Sequence, residues 1–365
     1  MYFVKTADLK TGMRLARPIY NAEGVLLFER DTKLTEQEIT TIHGINPIGV
    51  FVLEPAEPAP PMTDEDANFE QFQVAMVSMI QEEMNTILKT GKAPKTHVIV
   101  SGITKEFGHL GKKINFNQNM RSREDYIYKH ALNTAILCAM ITNRMNMKVD
   151  ERIDTLTAAV TCDIGKLGLT GTLIDKVEMS EADSRLVYMA VMEGVEILDT
   201  VLSNGTAVKR ICSQAENALC EFRQGKYEKN TKMVMGAKVL LVADAFEKLT
   251  AMQVGREPDS EIKAIRYLQK HSDIFDEEVV KALMDSVHIL ASGVSVELNT
   301  GEKALVLNEN PQDALRPMVL CFKDNTMMDL SNGEYDDIEI VDVVKTMDNR
   351  HVLNTNTIKN QEEGN

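Results

Sequence analysis

From about residue 115 to residue 292, apolar side chains recur every three or four positions almost without a break. That period is helical. Over such a length it commits the middle of the chain to packed helices and not to a sheet. Leu132, Ile136, Ala139 and Met140 fall on one face of a helix that starts near Asp125, and Val239–Thr250 and Ile262–Leu268 are further helical segments. On both sides of this region the period changes. Short apolar runs at Met13–Ala16, Pro18–Tyr20, Val25–Phe28 and Ile48–Leu53 read as strands, with a turn at residues 21–24. Thr35 with Glu38 forms a capping box that opens a short helix ending near Gly44. Beyond residue 293, Val294–Leu298 alternates, residues 299–302 turn, and Lys303–Leu307, Pro317–Phe322 and Ile338–Val343 complete an antiparallel set.

The expected fold is therefore mainly α: a central all-helical domain at 115–292, a small N-terminal α+β module at 1–54 and a small C-terminal antiparallel β module at 293–352. Pro55, Pro58, Pro60 and Pro61 make 55–63 a stiff extended linker. A long helix and a connection fill 64–114, and the polar residues 353–365 form a loose tail. Along the long helix Phe69, Phe72, Met76, Ile80, Met84 and Ile87 form a stripe. A stripe of that kind serves either a second subunit or the chain's own next domain.

A chain of 365 residues has room for two or three domains. Its formal net charge of -15 repels nucleic acid polymers and anionic membranes, so a phosphate ligand would need a local basic pocket. The five cysteines have no zinc-type spacing, the 21 methionines read as adaptable core, and no signal peptide or long apolar run is evident. A cytoplasmic protein with reduced thiols is expected.

Chemistry-bearing residues are few. His130 lies early on one helix, Asp163 near a helix start or turn, and Asp244 is the lone carboxylate in the apolar run Val239–Phe246. A carboxylate in such surroundings needs a partner or a metal. Lys166, three residues after Asp163, can hold a phosphate oxygen as a point charge. Each also has a plain structural reading, as a satisfied histidine, a cap, an ion pair or a solvated lysine. Arg121, Arg123 and Lys129 supply either pocket charge or solvated surface charge.

Order and context say more. Asp125-Tyr126-Ile127-Tyr128-Lys129-His130 resembles the opening motif of HD-GYP domains, Cys162-Asp163-Ile164-Gly165-Lys166 resembles their His-Asp-Ile-Gly-Lys, and Val242–Thr250 is similar to their closing Asp helix. Leu9–Tyr20 and Gly293–Phe322 look like modules that flank such domains, so the resemblance covers nearly the whole chain. It implies a helical HD-type domain, hydrolysis of cyclic di-GMP on two or three metal ions, His130, Asp163 and Asp244 at metal-ligand positions, and Lys166 at the scissile phosphate.

The departures cluster at the same positions. Cys162 stands at a ligand His, Ala190 at another, and Leu219 and Cys220 at a His pair, while Gln224-Gly225-Lys226-Tyr227 is a shortened remnant of Gly-Tyr-Pro. A dinuclear mechanism needs ions about 3.5–4 Å apart with their imidazoles in place, and four of those ligands are gone. Cys162 and Cys220 with the three retained ligands could hold one divalent metal (Fe, Mn or Zn), or could be small buried hydrophobes in a pocket that has dried out. The expectation is a degenerate, catalytically impaired HD-GYP-like signalling protein without a cofactor. It would act by sensing a cyclic dinucleotide or binding a signalling partner, with homodimerisation through the 64–90 helix as a further expectation. The alternative is an active cyclic di-GMP phosphodiesterase with a rebuilt metal site.

Overall fold

The structure is a computed structural model that describes residues 2–21, 25–53, 64–116, 121–170, 173, 179–229, 232–253 and 256–344. The expected linker at 55–63 and tail at 353–365 lie outside the described residues.

In the N-terminal module β1 (Tyr2–Lys5), β5 (Gly49–Leu53) and β2 (Arg14–Leu15) form an antiparallel sheet in that order, and β3 (Ile19–Tyr20) pairs with β4 (Leu26–Phe28). Helix α1 (Glu36–Ile45) opens on the expected capping box, with the Thr35 N–H donating to Glu38 Oε2 at 2.7 Å. It closes on Asn46 in the left-handed region, φ 53°. Leu15, Ile19, Leu34, Ile42, Val50 and Val52 form its core. Strand β1 was not among the expected strands; the ring of Phe3 packs edge-on to Phe51 at 5.9 Å.

The centre is helical. Its elements are α2 (Asp64–Thr90), α3 (Thr96–Phe107), α4 (Tyr126–Arg144), α5 (Val149–Thr161), a 3₁₀ turn at Cys162–Gly168, α6 (Glu181–Val201), α7 (Gly205–Arg223), α8 (Met235–Thr250), α9 (Glu261–Lys270) and α10 (Glu277–Met284). Helix α4 is the axis: most of its length is buried beneath α5, α8, α2 and α3. The stripe on α2 is used within the chain. Met76, Ile80, Met84 and Ile87 are buried in the same core as α4, and Phe69 and Phe72 pack edge-on to Phe107 at 5.6 and 5.3 Å.

Helix α3 fell inside the expected connection, and its cap explains why. Lys95 precedes it, a residue with no capping side chain. The cap comes instead from buried Glu83, whose Oε1 accepts from the N–H groups of Lys95 and Thr96 at 2.9 and 2.7 Å and from Thr96 Oγ1 at 2.6 Å.

At the C-terminal end β10 (Ile340–Val343), β6 (Ser295–Leu298), β7 (Lys303–Asn308), β8 (Met318–Cys321) and β9 (Met327–Asp329) form one antiparallel sheet in that order. Strand β9 was also unexpected. Asp342 ties the sheet to α9, accepting from Ser260 Oγ and Lys263 Nζ at 2.5 Å each. The fold is thus a helical domain with a small sheet module at each end, as expected.

Candidate functional site

Three elements bring the site together. His130 sits in the second turn of α4, Asp244 in the middle of α8, and Asp163 in the 3₁₀ turn that continues α5. That turn is held by backbone contact and not by side chains. A Cβ built on Gly165 would overlap the carbonyl oxygen of Ala190 in α6, and one on Gly194 would press on the Gly165 backbone. Two facing glycines let the turn and α6 approach this closely. The turn thereby aims Asp163 and Lys166 at α4 and α8.

The three retained ligand-type residues converge. His130 Nε2 lies 2.9 Å from Asp244 Oδ1 and 3.7 Å from Asp163 Oδ2. Each carboxylate is also gripped through both oxygens by its own lysine. Lys166 Nζ is 2.7 Å from Asp163 Oδ1 and Oδ2, and Lys248 Nζ is 2.8 Å from Asp244 Oδ1 and Oδ2. On the other side of the imidazole, His130 Nδ1 contacts Glu247, which is fully buried and paired with fully buried Arg121. Asn133 Nδ2 donates to Glu247 Oε1 at 3.4 Å, and Gln73 Nε2 on α2 donates to Asn133 Oδ1 at 3.0 Å. Three cations, Arg121, Lys166 and Lys248, thus face three carboxylates, Glu247, Asp163 and Asp244.

That balance bears on metal binding. An ion at Asp163 and Asp244 would have to displace two ammonium groups that already hold all four carboxylate oxygens. Among the described residues, no three His, Cys, Asp or Glu side chains are arranged to hold a metal ion. Cys162 does line the cavity here, and Cys212 together with burial pushes its thiol pKa well above the ordinary value. Cys220 is not among the residues lining the cavity; its sulfur takes Gln224 Nε2 at 3.3 Å. Leu219 lines the cavity where an imidazole was implied. The residues present do not fit a resident metal.

The remaining cavity is about 30 Å³, bounded by His130, Asp163, Asp244, Lys248, Cys162 and Leu219 among others. It has room for a water or two. Lys166 faces Asp163, its side chain only 14% exposed. Arg121 corrects an expectation: it is neither a surface charge nor a pocket charge but part of the buried core, its guanidinium 5.1 Å from the Tyr126 ring. Arg123 is exposed, and Lys129 pairs with Asp125 at 2.7 Å.

Electrostatics follow the pairing. Burial alone raises the Asp163 and Asp244 carboxyls, but Lys166, Lys248 and His130 outweigh it and hold both below the usual carboxylate range. Burial pulls the His130 imidazole below its ordinary value, while Asp244 pulls the other way. A depressed carboxyl stabilises the fold fully above its unfolded pKa, near 4, and that stability is lost as pH falls through the folded value. Depressed His130 should make urea midpoints begin to fall below about pH 7, and the two carboxyls should steepen that fall below about pH 5. Asp163→Asn with Asp244→Asn should flatten the acid limb, and an unchanged limb in that variant would contradict the assignment.

Residues 116–279 match the family model described as HD domain. The chain carries an HD-superfamily domain. A cyclic di-GMP phosphodiesterase of Pseudomonas aeruginosa, PA4108, is 19% identical over 206 residues, which is 56% of this chain and 49% of that protein. The chain thus spans about half the length of that curated relative. Among solved structures, Bd1817, described as a HDG"Y"P protein from Bdellovibrio bacteriovorus, superposes with a TM-score of 0.46 at 13% identity, covering 78% of this chain and 98% of that one. No helix among the described residues is long and apolar enough to cross a membrane.

Sequence reasoning overlooked Glu247 and Lys248. The signal was there: both follow Asp244 at the three- and four-residue spacings that share a helix face.

Proposed function

We propose that this HD domain has exchanged metal-dependent hydrolysis for a built-in charge network, and that the chain works as a cyclic di-GMP-pathway signalling protein by binding a protein partner. The observation that carries the reading is the double grip of Lys166 on Asp163 and of Lys248 on Asp244. The ammonium groups supply the positive charge that catalytic metals supply elsewhere, without any open coordination position. The size of the cavity supports it. A drug-sized ligand needs a pocket of roughly 300–1000 Å³, and the space here is about 30 Å³. A cyclic dinucleotide does not enter it without rearrangement.

One observation favours the second reading, an active cyclic di-GMP phosphodiesterase. Glu247 contacts His130 Nδ1 and leaves Nε2 turned toward both aspartates, the arrangement in which a carboxylate orients a metal-binding imidazole. That reading requires both lysines to swing away.

Calorimetry with cyclic di-GMP tests the partner-binding reading. It expects no saturable heat at the HD cavity. A saturable isotherm that disappears in Lys166→Ala would restore nucleotide sensing at this site.

A further inference from the structure

A second and much larger cavity lies apart from the His130 cluster. It is a groove of about 1010 Å³ between α3 and the first turns of α5, lined also by residues 201–204. Its volume matches what small-molecule sites need. It shares no lining residue with the His130 cavity.

The lining is mixed, and Thr96, Ser101, Thr104, Thr157, Ser203 and Asn204 contribute neutral polar groups to it. The body of the groove is aliphatic: Val100 and Leu202 are buried, and Val201, Ile153 and Val149 flank them. Val149 and Ile153 leave 68% and 42% of their surfaces exposed beside it, although α5 has an alternative buried face. The rim carries the basic groups. His97, Lys105 and His109 come from α3 and the residues just beyond it, and Arg152 from α5. Two acids also line the groove; Asp154 is already engaged by Asn204 Nδ2 at 2.7 Å, and Asp150 belongs to the first turn of α5. Arg152 already donates to the Gly108 carbonyl, which leaves Lys105 and the two imidazoles to meet a ligand in a lining that is formally neutral on a chain of net charge -15.

The chemistry of the walls selects the ligand. Among the described residues no Phe, Tyr or Trp lines the groove, so a nucleobase finds only imidazole and guanidinium planes to stack on. Branched aliphatic side chains accept a saturated chain, and Lys105 with the two imidazoles accepts an anion beside it. We propose that this groove binds a long-chain carboxylate, with the alkyl chain along Val100, Ile153 and Leu202 and the head at Lys105 and the rim histidines. The assignment is independent of how the His130 cluster functions.

Titration calorimetry of the full chain with decanoate, dodecanoate and tetradecanoate, each below its micelle concentration, tests it. The expected result is a saturable one-to-one isotherm that tightens roughly tenfold for each two methylenes added. Tetradecanol, which lacks the charge, should bind roughly tenfold more weakly than tetradecanoate. Lys105→Glu and Ile153→Glu change exposed side chains, so the fold should persist while tetradecanoate affinity drops at least tenfold. No saturable binding, no dependence on chain length, or equal affinity for the alcohol each overturns the proposal. Cyclic di-GMP binding that is lost in Ile153→Glu would assign the groove to a nucleotide and overturn it as well.

Discussion

Arg121→Met should destabilise the folded protein by about 3–5 kcal/mol, the cost of leaving one member of a buried ion pair uncompensated. Glu247 has no solvent contact, and Arg121 is the cation paired with it. Removing the guanidinium leaves a carboxylate in the core beside His130 and Asn133. Glu247→Leu alone should cost a similar amount for the mirror-image reason. The double variant should recover most of the loss, because an apolar pair of similar volume replaces two buried charges. Urea unfolding of the four proteins measures this cycle; single variants within 0.5 kcal/mol of the parent would contradict it. Arg121 also joins two parts of the fold. Its carbonyl accepts the Ile48 N–H at 2.7 Å, and Ser122 bridges Pro47. Hydrogen exchange at Ile48 should therefore quicken in Arg121→Met even though the substitution lies in the helical domain.

On the proposed reading, Lys248→Met should create metal affinity that is absent from the parent. The substitution keeps the aliphatic stem but frees both oxygens of Asp244, which then face His130 Nε2 and Asp163 without a cation of their own. The variant should be less stable than the parent without metal and should regain stability with manganese or zinc. At a metal concentration one hundred times Kd the gain is about 2.7 kcal/mol. The parent's unfolding midpoint should not move over the same range. A parent midpoint that rises with metal would mean that the lysines yield readily and that the charge network is only a resting arrangement of a metal site.

The fold was largely legible because long apolar periodicities leave few choices. Helix α4 announced itself through Leu132, Ile136 and Met140, and the α1 capping box stood at the expected residues. What stayed hidden depended on distant partners. Helix α3 is capped by a carboxylate thirteen residues upstream in another helix, which no local signal reports. Strand β9 is three residues long, too short for alternation to register. At the site, His130, Asp163 and Asp244 were legible as a group through the order of their motifs. The two lysines that grip the carboxylates were legible only as charges, because the direction of a lysine side chain is settled by packing. Arg121 was misjudged for the same reason: a sequence gives a guanidinium's charge but not that Glu247 waits for it in the core, 126 positions on.

The central claim is that this HD domain no longer performs metal-dependent hydrolysis. A cyclic di-GMP phosphodiesterase assay on the purified chain with added manganese or iron, paired with metal analysis of the same sample, tests it most directly. The account predicts no turnover above the protein-free control and far less than one metal ion per chain. Turnover that disappears in Asp163→Ala, accompanied by one or more bound metal ions per chain, would contradict it.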